Sequence, residues 1–155
     1  MVNSHFISVN CFLHNKCFSF AGVCEANTYS VRRFLWRDLS FFTSPWCILG
    51  DFNVVVSADD CKGRVAPNQV SCNEILYGIN NNSLISIPFS GPCYTWSNGR
   101  SLHRMDRKLD RALCNEEYLD ELASYTYQVL VKNCFDYSHI LVILSSNYFH
   151  KVITF

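Results

Sequence analysis

The sequence is organised around one stretch, Ile48-Leu49-Gly50-Asp51-Phe52-Asn53. The apolar run from Trp46 to Leu49 is typical of a β-strand that is buried on both faces. Ligands of α/β sheets gather beyond the carboxyl ends of the strands, which is where Asp51 and Asn53 stand. Because side chains alternate along an extended segment, we expect these two on one side and Phe52 on the other. The stretch predicts either a functional carboxylate–carboxamide pair or an Asx-type turn that closes the strand.

Length and composition indicate one globular domain, residues 1–155, that is long enough to bury a core. The chain is 49% hydrophobic and 15% aromatic, whereas only 17% of its residues are charged. Thirteen basic and thirteen acidic residues cancel. Because no global field attracts the chain to nucleic acid, any such contact must come from a local patch.

The cysteines and the termini bear on the compartment. Nine cysteines, an odd number without a CxxC pair, indicate reduced, mostly buried thiols rather than a disulfide framework or a zinc ribbon. No window approaches the roughly 18 apolar residues of a membrane helix, and the first residues lack the regions of a signal peptide. We therefore expect an intracellular protein, in nucleus or cytoplasm, with no membrane contact, and leave its oligomeric state open.

The apolar periodicities predict an α+β fold, with sheet packed on sheet and helices outside. A β-hairpin opens the chain, and Thr28 caps a helix whose wet side carries Arg32. A capping box at 71–74 begins a second helix, and Asn98-Gly99 indicates a two-residue hairpin turn. The remaining predicted elements are strands at 84–87, 94–97, 109–114, 125–131 and 139–144, and a helix at 116–123 capped by Asn115.

Four polar groups stand at predicted strand ends or in adjoining turns. They are Asp51/Asn53, Thr95-Trp96-Ser97-Asn98, Asp110-Arg111, and Asp136 with Ser138 and His139. Magnesium prefers one or two carboxylates and keeps several waters, so carboxylates from separate strand ends suit it. Each group alone has a simpler interpretation, such as a local ion pair at Asp110-Arg111 or a core position for Trp96. A basic cluster within residues 100–111 indicates either a phosphate contact or a solvated loop.

In this order, the motifs resemble the endonuclease/exonuclease/phosphatase family. The chain is most similar to the endonuclease domain of LINE-type non-LTR retrotransposons of plants. The matching stretches are residues 32–39, 45–53, 89–100 and 109–115, with the segment after Cys134. The resemblance covers nearly the whole chain. It implies a DNase-I-like fold of two packed sheets flanked by helices, incomplete at the N-terminus.

The resemblance implies Mg²⁺-assisted hydrolysis of DNA phosphodiesters. By position, Asp51 would orient or deprotonate the attacking water, and Asn53 would hold a phosphate oxygen. Asp110 would belong to the supporting polar shell, and Asp136 falls on the aspartate of the family's closing Ser-Asp-His motif. The metal ligands stay unknown. The expected substrate-binding residues are Thr95, Trp96, Asn98 and Arg111.

Departures from the family pattern bear on activity. The closing motif here is Phe135-Asp136-Tyr137, the family's active-site tyrosine falls at Cys24, and its metal-binding glutamate has no counterpart upstream of Val2. Removing one charge-stabilising donor costs on the order of 10²–10³ in rate. Three interpretations follow: an inactive nuclease fragment, a non-catalytic module that binds nucleic acid or protein, and an active phosphodiesterase in which His139 replaces the lost histidine.

Overall fold

The computed structural model describes residues 6–13, 15–23, 28–39, 42, 44–121, 124–130, 140–146 and 149–154. In chain order the strands are β1 (Phe6–Leu13), β2 (Lys16–Val23), β3 (Trp46–Asp51), β4 (Cys61–Lys62), β5 (Ile85–Ser86), β6 (Phe89–Ser90), β7 (Trp96–Ser97), β8 (Asp106–Arg107), β9 (Asp110–Cys114), β10 (Ser124–Val129), β11 (Ile140–Ser146) and β12 (Phe149–Thr154). The helices are α1 (Tyr29–Leu39), α2 (Gln69–Asn81) and α3 (Glu116–Glu121). No helix in these ranges has the length and apolar character needed to cross a lipid bilayer.

The strands form two main sheets and a small ribbon. The first sheet has the order β1-β2-β3-β9-β5, the second β12-β11-β10-β6, and the ribbon β4-β8-β7. In the first sheet β3 runs parallel to β2 and antiparallel to β9. Strand β8 of the ribbon lies just before β9 in the chain and leads directly into the central sheet.

Strand β3 is buried on both faces, which explains its unbroken apolar sequence. Ile48 packs in one core with Leu35 of helix α1, whereas Leu49 packs in a second core with Val129 of strand β10. One core therefore lies between the first sheet and the helices, and the other lies between the two sheets. The predicted α+β architecture, sheet on sheet with helices outside, is confirmed.

Several local predictions are confirmed. The opening hairpin pairs β1 with β2 from Phe6↔Val23 to Leu13↔Lys16. Helix α3 begins after Asn115, whose Oδ1 accepts a hydrogen bond from the backbone N–H of Tyr118 at 3.1 Å. Strand β12, which the sequence analysis does not predict, extends the second sheet.

The predicted two-residue turn at Asn98-Gly99 is wrong. Strands β7 and β8 pair through Trp96↔Arg107, and residues 98–105 connect them. Asn98 instead organises this longer loop, because its Oδ1 accepts the backbone N–H groups of Arg100 and Met105 at 3.2 and 3.1 Å. The Asn98 side chain thus stabilises a longer loop by hydrogen bonds to its backbone, and no two-residue turn forms at this position.

The expected wet-side position of Arg32 and the capping box at 71–74 are also wrong. Helix α2 begins two residues earlier than that box, with Asn68 as its cap. Glu74 is buried and accepts hydrogen bonds from Arg32 Nε at 2.6 Å and Trp36 Nε1 at 2.8 Å. A buried carboxylate needs such donors, and this requirement places Arg32 inside, between the two helices.

The predicted burial of the thiols is compared with the cysteines that the structure describes. Seven cysteines lie in the described part of the chain, and all seven are free thiols. Three of them are buried, three are half-buried and Cys93 is exposed. Fewer of these thiols are fully buried than the composition suggested, and their reduced state stays a prediction.

Gly50 tests how tightly β3 packs on β2. Its φ is 130°, and a Cβ at this position would collide with the carbonyl oxygen of Val23. We expect Gly50→Ala to lower the free energy of unfolding by roughly 2–3 kcal/mol, because strain and collision add. Gly99→Ala is the control: its φ is 66°, a methyl group there would meet nothing within 4 Å, and the expected cost is about 1 kcal/mol. Equal losses in chemical denaturation would contradict this account.

Candidate functional site

The pairing of β3 with β9 brings two carboxylates together. Asp51 ends β3 and Asp110 begins β9, and the antiparallel register makes these two residues direct partners. The pairing continues by one step, because the N–H of Phe52 donates to the carbonyl of Leu109 at 3.1 Å. Side chains at directly opposed positions lie close together on one face of a sheet. The end of the central sheet therefore presents a pair of acidic side chains.

Asn53 closes the strand beside this pair. Its φ of 51° is left-handed, a conformation that asparagine tolerates better than most residues. Its backbone N–H donates to Asp51 Oδ1 at 2.7 Å, which is an Asx-type turn. The turn predicted as the simpler interpretation is thus present, and it holds Asn53 next to the Asp51 carboxylate.

Burial changes the acidity of Asp51. Desolvation raises the pKa of this carboxyl above its ordinary value of 3.8, while the hydrogen bond from the Asn53 N–H acts in the opposite direction. A carboxylate with a raised pKa is a better proton acceptor than an ordinary one. The arrangement therefore places a carboxylate of raised pKa at the end of the sheet.

Thr95 fixes the position of Asp110. Its side chain is fully buried, and its Oγ1 accepts the backbone N–H groups of Leu109 and Asp110 at 3.0 and 3.1 Å. Trp96, the next residue, is half-buried in β7 and pairs with Arg107. The hydroxyl of Thr95 thus supports the site from inside the protein, and substrate binding by Thr95 and Trp96 stays a prediction.

Arg111 pairs with Asp60 rather than with its neighbour in sequence. Its Nη2 donates to Asp60 Oδ2 at 2.6 Å and to the carbonyl of Lys108 at 3.2 Å. Its buried Nε has no hydrogen-bond partner among the residues that the structure describes. Asn98 uses its side chain within the 98–105 loop. Substrate binding by Arg111 and Asn98 likewise stays a prediction.

One member of the predicted basic cluster lies beside the two carboxylates. Lys108 lies two residues before Asp110, and its Nζ is 3.7 Å from the ring centroid of Phe89. The Phe89 ring in turn stacks on Tyr127 of the second sheet, with 5.4 Å between centroids. The available signal was the place of Lys108 in the basic cluster, directly before the motif that carries Asp110.

Asp136, the fourth expected catalytic residue, lies outside the described residues, as do Ser138, His139 and Cys24. The described residues therefore place three of the four expected catalytic positions, Asp51, Asn53 and Asp110, at one end of the first sheet.

The described residues do not by themselves fit a magnesium site. Asp51 and Asp110 are oxygen donors of the right chemistry. Within the described ranges, however, no three histidine, cysteine, aspartate or glutamate side chains are grouped so as to hold a metal ion. One oxygen of Asp51 is moreover already engaged by the Asn53 N–H.

Solved structures share this architecture. The endonuclease domain of TRAS1, a telomere-specific non-LTR retrotransposon, matches with a TM-score of 0.63 at 14% identity, over 92% of this chain and 64% of that one. The chain has a DNase-I-like fold. A beta hairpin deletion mutant of Staphylococcus aureus beta toxin matches with a TM-score of 0.55 at 14% identity, over 83% of this chain and 49% of that one.

A second beta toxin structure from Staphylococcus aureus matches with a TM-score of 0.53 at 15% identity, over 97% of this chain and 56% of that one. The chain thus spans between about half and two thirds of the length of these structures. No protein-family model and no curated protein matches the sequence. At such identities the likeness shows the fold, so the roles of individual residues rest on their chemistry and geometry.

The raised pKa of Asp51 predicts how the stability of the protein changes with pH. A carboxyl whose pKa is higher in the folded state favours folding when protonated, and this contribution is lost as the pH rises through the folded pKa. We expect Asp51→Asn to raise the denaturation midpoint at neutral pH, and the difference from wild type to vanish below about pH 3.8.

Asp106 is the control for that measurement. Burial raises the pKa of its carboxyl, but hydrogen bonds from Ser97 and Arg104 and the positive charges of Arg104 and Lys62 together outweigh burial, so the pKa is lowered overall. Asp106→Asn should therefore destabilise at neutral pH, with a difference that shrinks as the pH falls through the acid range. The same pH profile for both variants would show that folding does not raise the pKa of Asp51.

Proposed function

We propose that the chain corresponds to part of a retrotransposon-derived, Mg²⁺-dependent DNA endonuclease domain, of the plant LINE type, that has lost its cleavage activity. The observation that carries the proposal is the register of β3 and β9, which opposes Asp51 and Asp110 at the end of the central sheet. The shared fold with a retrotransposon endonuclease domain supports the same assignment.

The chemistry at this end of the sheet suits a phosphodiester. Asp51 is the proton acceptor for an attacking water, because partial burial raises its pKa. Asn53, held beside it by the Asx-type turn, offers an amide to a phosphate oxygen. Asp110, whose backbone is fixed by Thr95, supplies the second carboxylate.

The loss of activity is proposed from two side chains. Where the resemblance expects a tyrosine and a histidine, the sequence has Cys24 and Tyr137. Tyrosine donates a hydrogen bond but does not carry the positive charge of an imidazolium, which faces the developing phosphate anion. Each such loss costs on the order of 10²–10³ in rate, and the losses are not additive. Either loss makes cleavage slow while DNA binding is retained.

A second candidate is a module that binds nucleic acid without cleaving it. Arg100 and Arg104 are exposed on the 98–105 loop, which the side chain of Asn98 holds in place. Such cations contact phosphates whatever the state of the catalytic residues. The two candidates share DNA binding and differ in whether any Mg²⁺-dependent cleavage remains.

A nicking assay combined with a binding assay tests the proposal. With Mg²⁺ and supercoiled plasmid we expect only residual nicking, slower by at least about 10²–10³ than for an intact endonuclease domain. A fluorescein-labelled duplex should bind, with an affinity that falls as salt rises. Asp51→Asn is the matched variant, which keeps the shape and the acceptor oxygen for the Asn53 N–H.

The outcomes separate the candidates. Residual nicking that needs Mg²⁺ and disappears in Asp51→Asn supports the nuclease origin, whereas binding without any nicking favours the second candidate. Rapid nicking by the wild type would contradict the proposed loss of activity. A wild type that binds no DNA would contradict both candidates.

A further inference from the structure

Lys108 is held at the same end of the molecule as Asp51 and Asp110. Its backbone is fixed on both sides, because its N–H donates to the carbonyl of Asp60 at 2.9 Å and its own carbonyl accepts from Arg111 Nη2 at 3.2 Å. Its ammonium lies 3.7 Å from the Phe89 ring centroid. The position of this cation is thus set by both sheets.

The aromatic support of Lys108 belongs to the second sheet. Phe89 is in β6, which pairs in parallel with β10, and Tyr127 of β10 is its direct partner. Their rings stack at 5.4 Å between centroids, and Tyr127 is buried. A cation over such a ring gains some attraction but keeps its charge. The stack orients the ammonium and does not neutralise it.

The charged groups around Lys108 favour the binding of an anion. Partial burial and the nearby Arg111 guanidinium lower the pKa of Lys108, while Asp60 and Cys93 act in the opposite direction. Asp60 already accepts Arg111 at 2.6 Å and the backbone N–H of Val56 at 2.9 Å. Lys108 and Arg111 both feel the charge of Asp60, whose carboxylate is already engaged, so an added anion would stabilise both cations.

We propose that the Lys108 ammonium binds a backbone phosphate of DNA beside the phosphodiester that faces Asp51 and Asn53. This inference rests on the proposed function, because it names a further contact of the same site. Lysine suits this task as a compact cation that reaches a phosphate as a point charge. The Phe89 ring holds the side chain in place before DNA arrives, which reduces the entropy lost on binding.

The alternative is a purely structural contact between the sheets, and Lys108→Met distinguishes the two. Methionine keeps an unbranched apolar side chain over Phe89 and removes the charge. Lys16→Met is the matched control: Lys16 pairs with Glu121 and begins β2, whose parallel register with β3 places it at the end opposite Asp51. Both variants remove one positive charge.

The decisive measurement is DNA affinity as a function of salt, from the fluorescence anisotropy of a labelled duplex. We expect Lys108→Met to weaken binding and to reduce the slope of log K against log salt by about 1, the value for one phosphate contact. Lys108→Arg should restore the wild-type slope. Lys16→Met should leave it unchanged.

DNA affinity measured over a pH series is a second test, because a purely structural role of Lys108 would not make the affinity depend on its charge. Wild-type affinity should fall as the pH rises through the lowered pKa of Lys108, below the ordinary lysine value of 10.5. Lys108→Arg should show no such fall, because the guanidinium stays charged. If Lys108→Met unfolds, Lys108→Gln takes its place in the same assays.

One result would overturn this inference. The wild type binds DNA, and a folded Lys108→Met or Lys108→Gln variant shows the same slope of log K against log salt as the wild type. That outcome leaves the proposed function standing, because DNA binding itself persists. A wild type that binds no DNA would overturn both, and the two failures are therefore distinguishable.

Discussion

The antiparallel pairing of β3 with β9 is the constraint on which the rest of the structure depends. Both faces of β3 are buried, so its register is fixed by two cores at once. A slip by one residue would move Ile48 into the core between the sheets and would end the pairing of Asp51 with Asp110. The same packing that stabilises the sandwich therefore sets the geometry of the candidate site.

Local signals account for the parts of the fold that the sequence predicts. The apolar run of β3, the opening hairpin and the Asn115 cap each depend on residues close together in the chain. The misplaced parts depend on distant partners. Arg32 and Glu74 are 42 residues apart, and only the packing of α1 on α2 shows that they form a buried pair. Such tertiary pairing overrides the surface pattern of an isolated helix.

The sequence indicates individual residues of the candidate site, but it does not show how they are placed relative to one another. Asp51 and Asp110 stand out in sequence as carboxylates at strand ends, whereas their direct opposition follows from the register alone. The sequence does not show that the Thr95 hydroxyl accepts the backbone N–H groups of Leu109 and Asp110. The Lys108 ammonium is positioned by the ring of Phe89, a residue of the other sheet. Pairings across sheets leave no periodic trace in one sequence.

The central claim is that the end of the sheet formed by Asp51, Asn53 and Asp110 faces a DNA backbone. Backbone amide chemical shifts during titration with a short, uncleavable DNA duplex test it most directly. We expect the largest shifts at Asn53, Lys108 and Asp110, and no shift for amides near Lys16, at the opposite end of the strands. Shifts confined to the outer faces of α1 and α2, or to the opening hairpin, would contradict it.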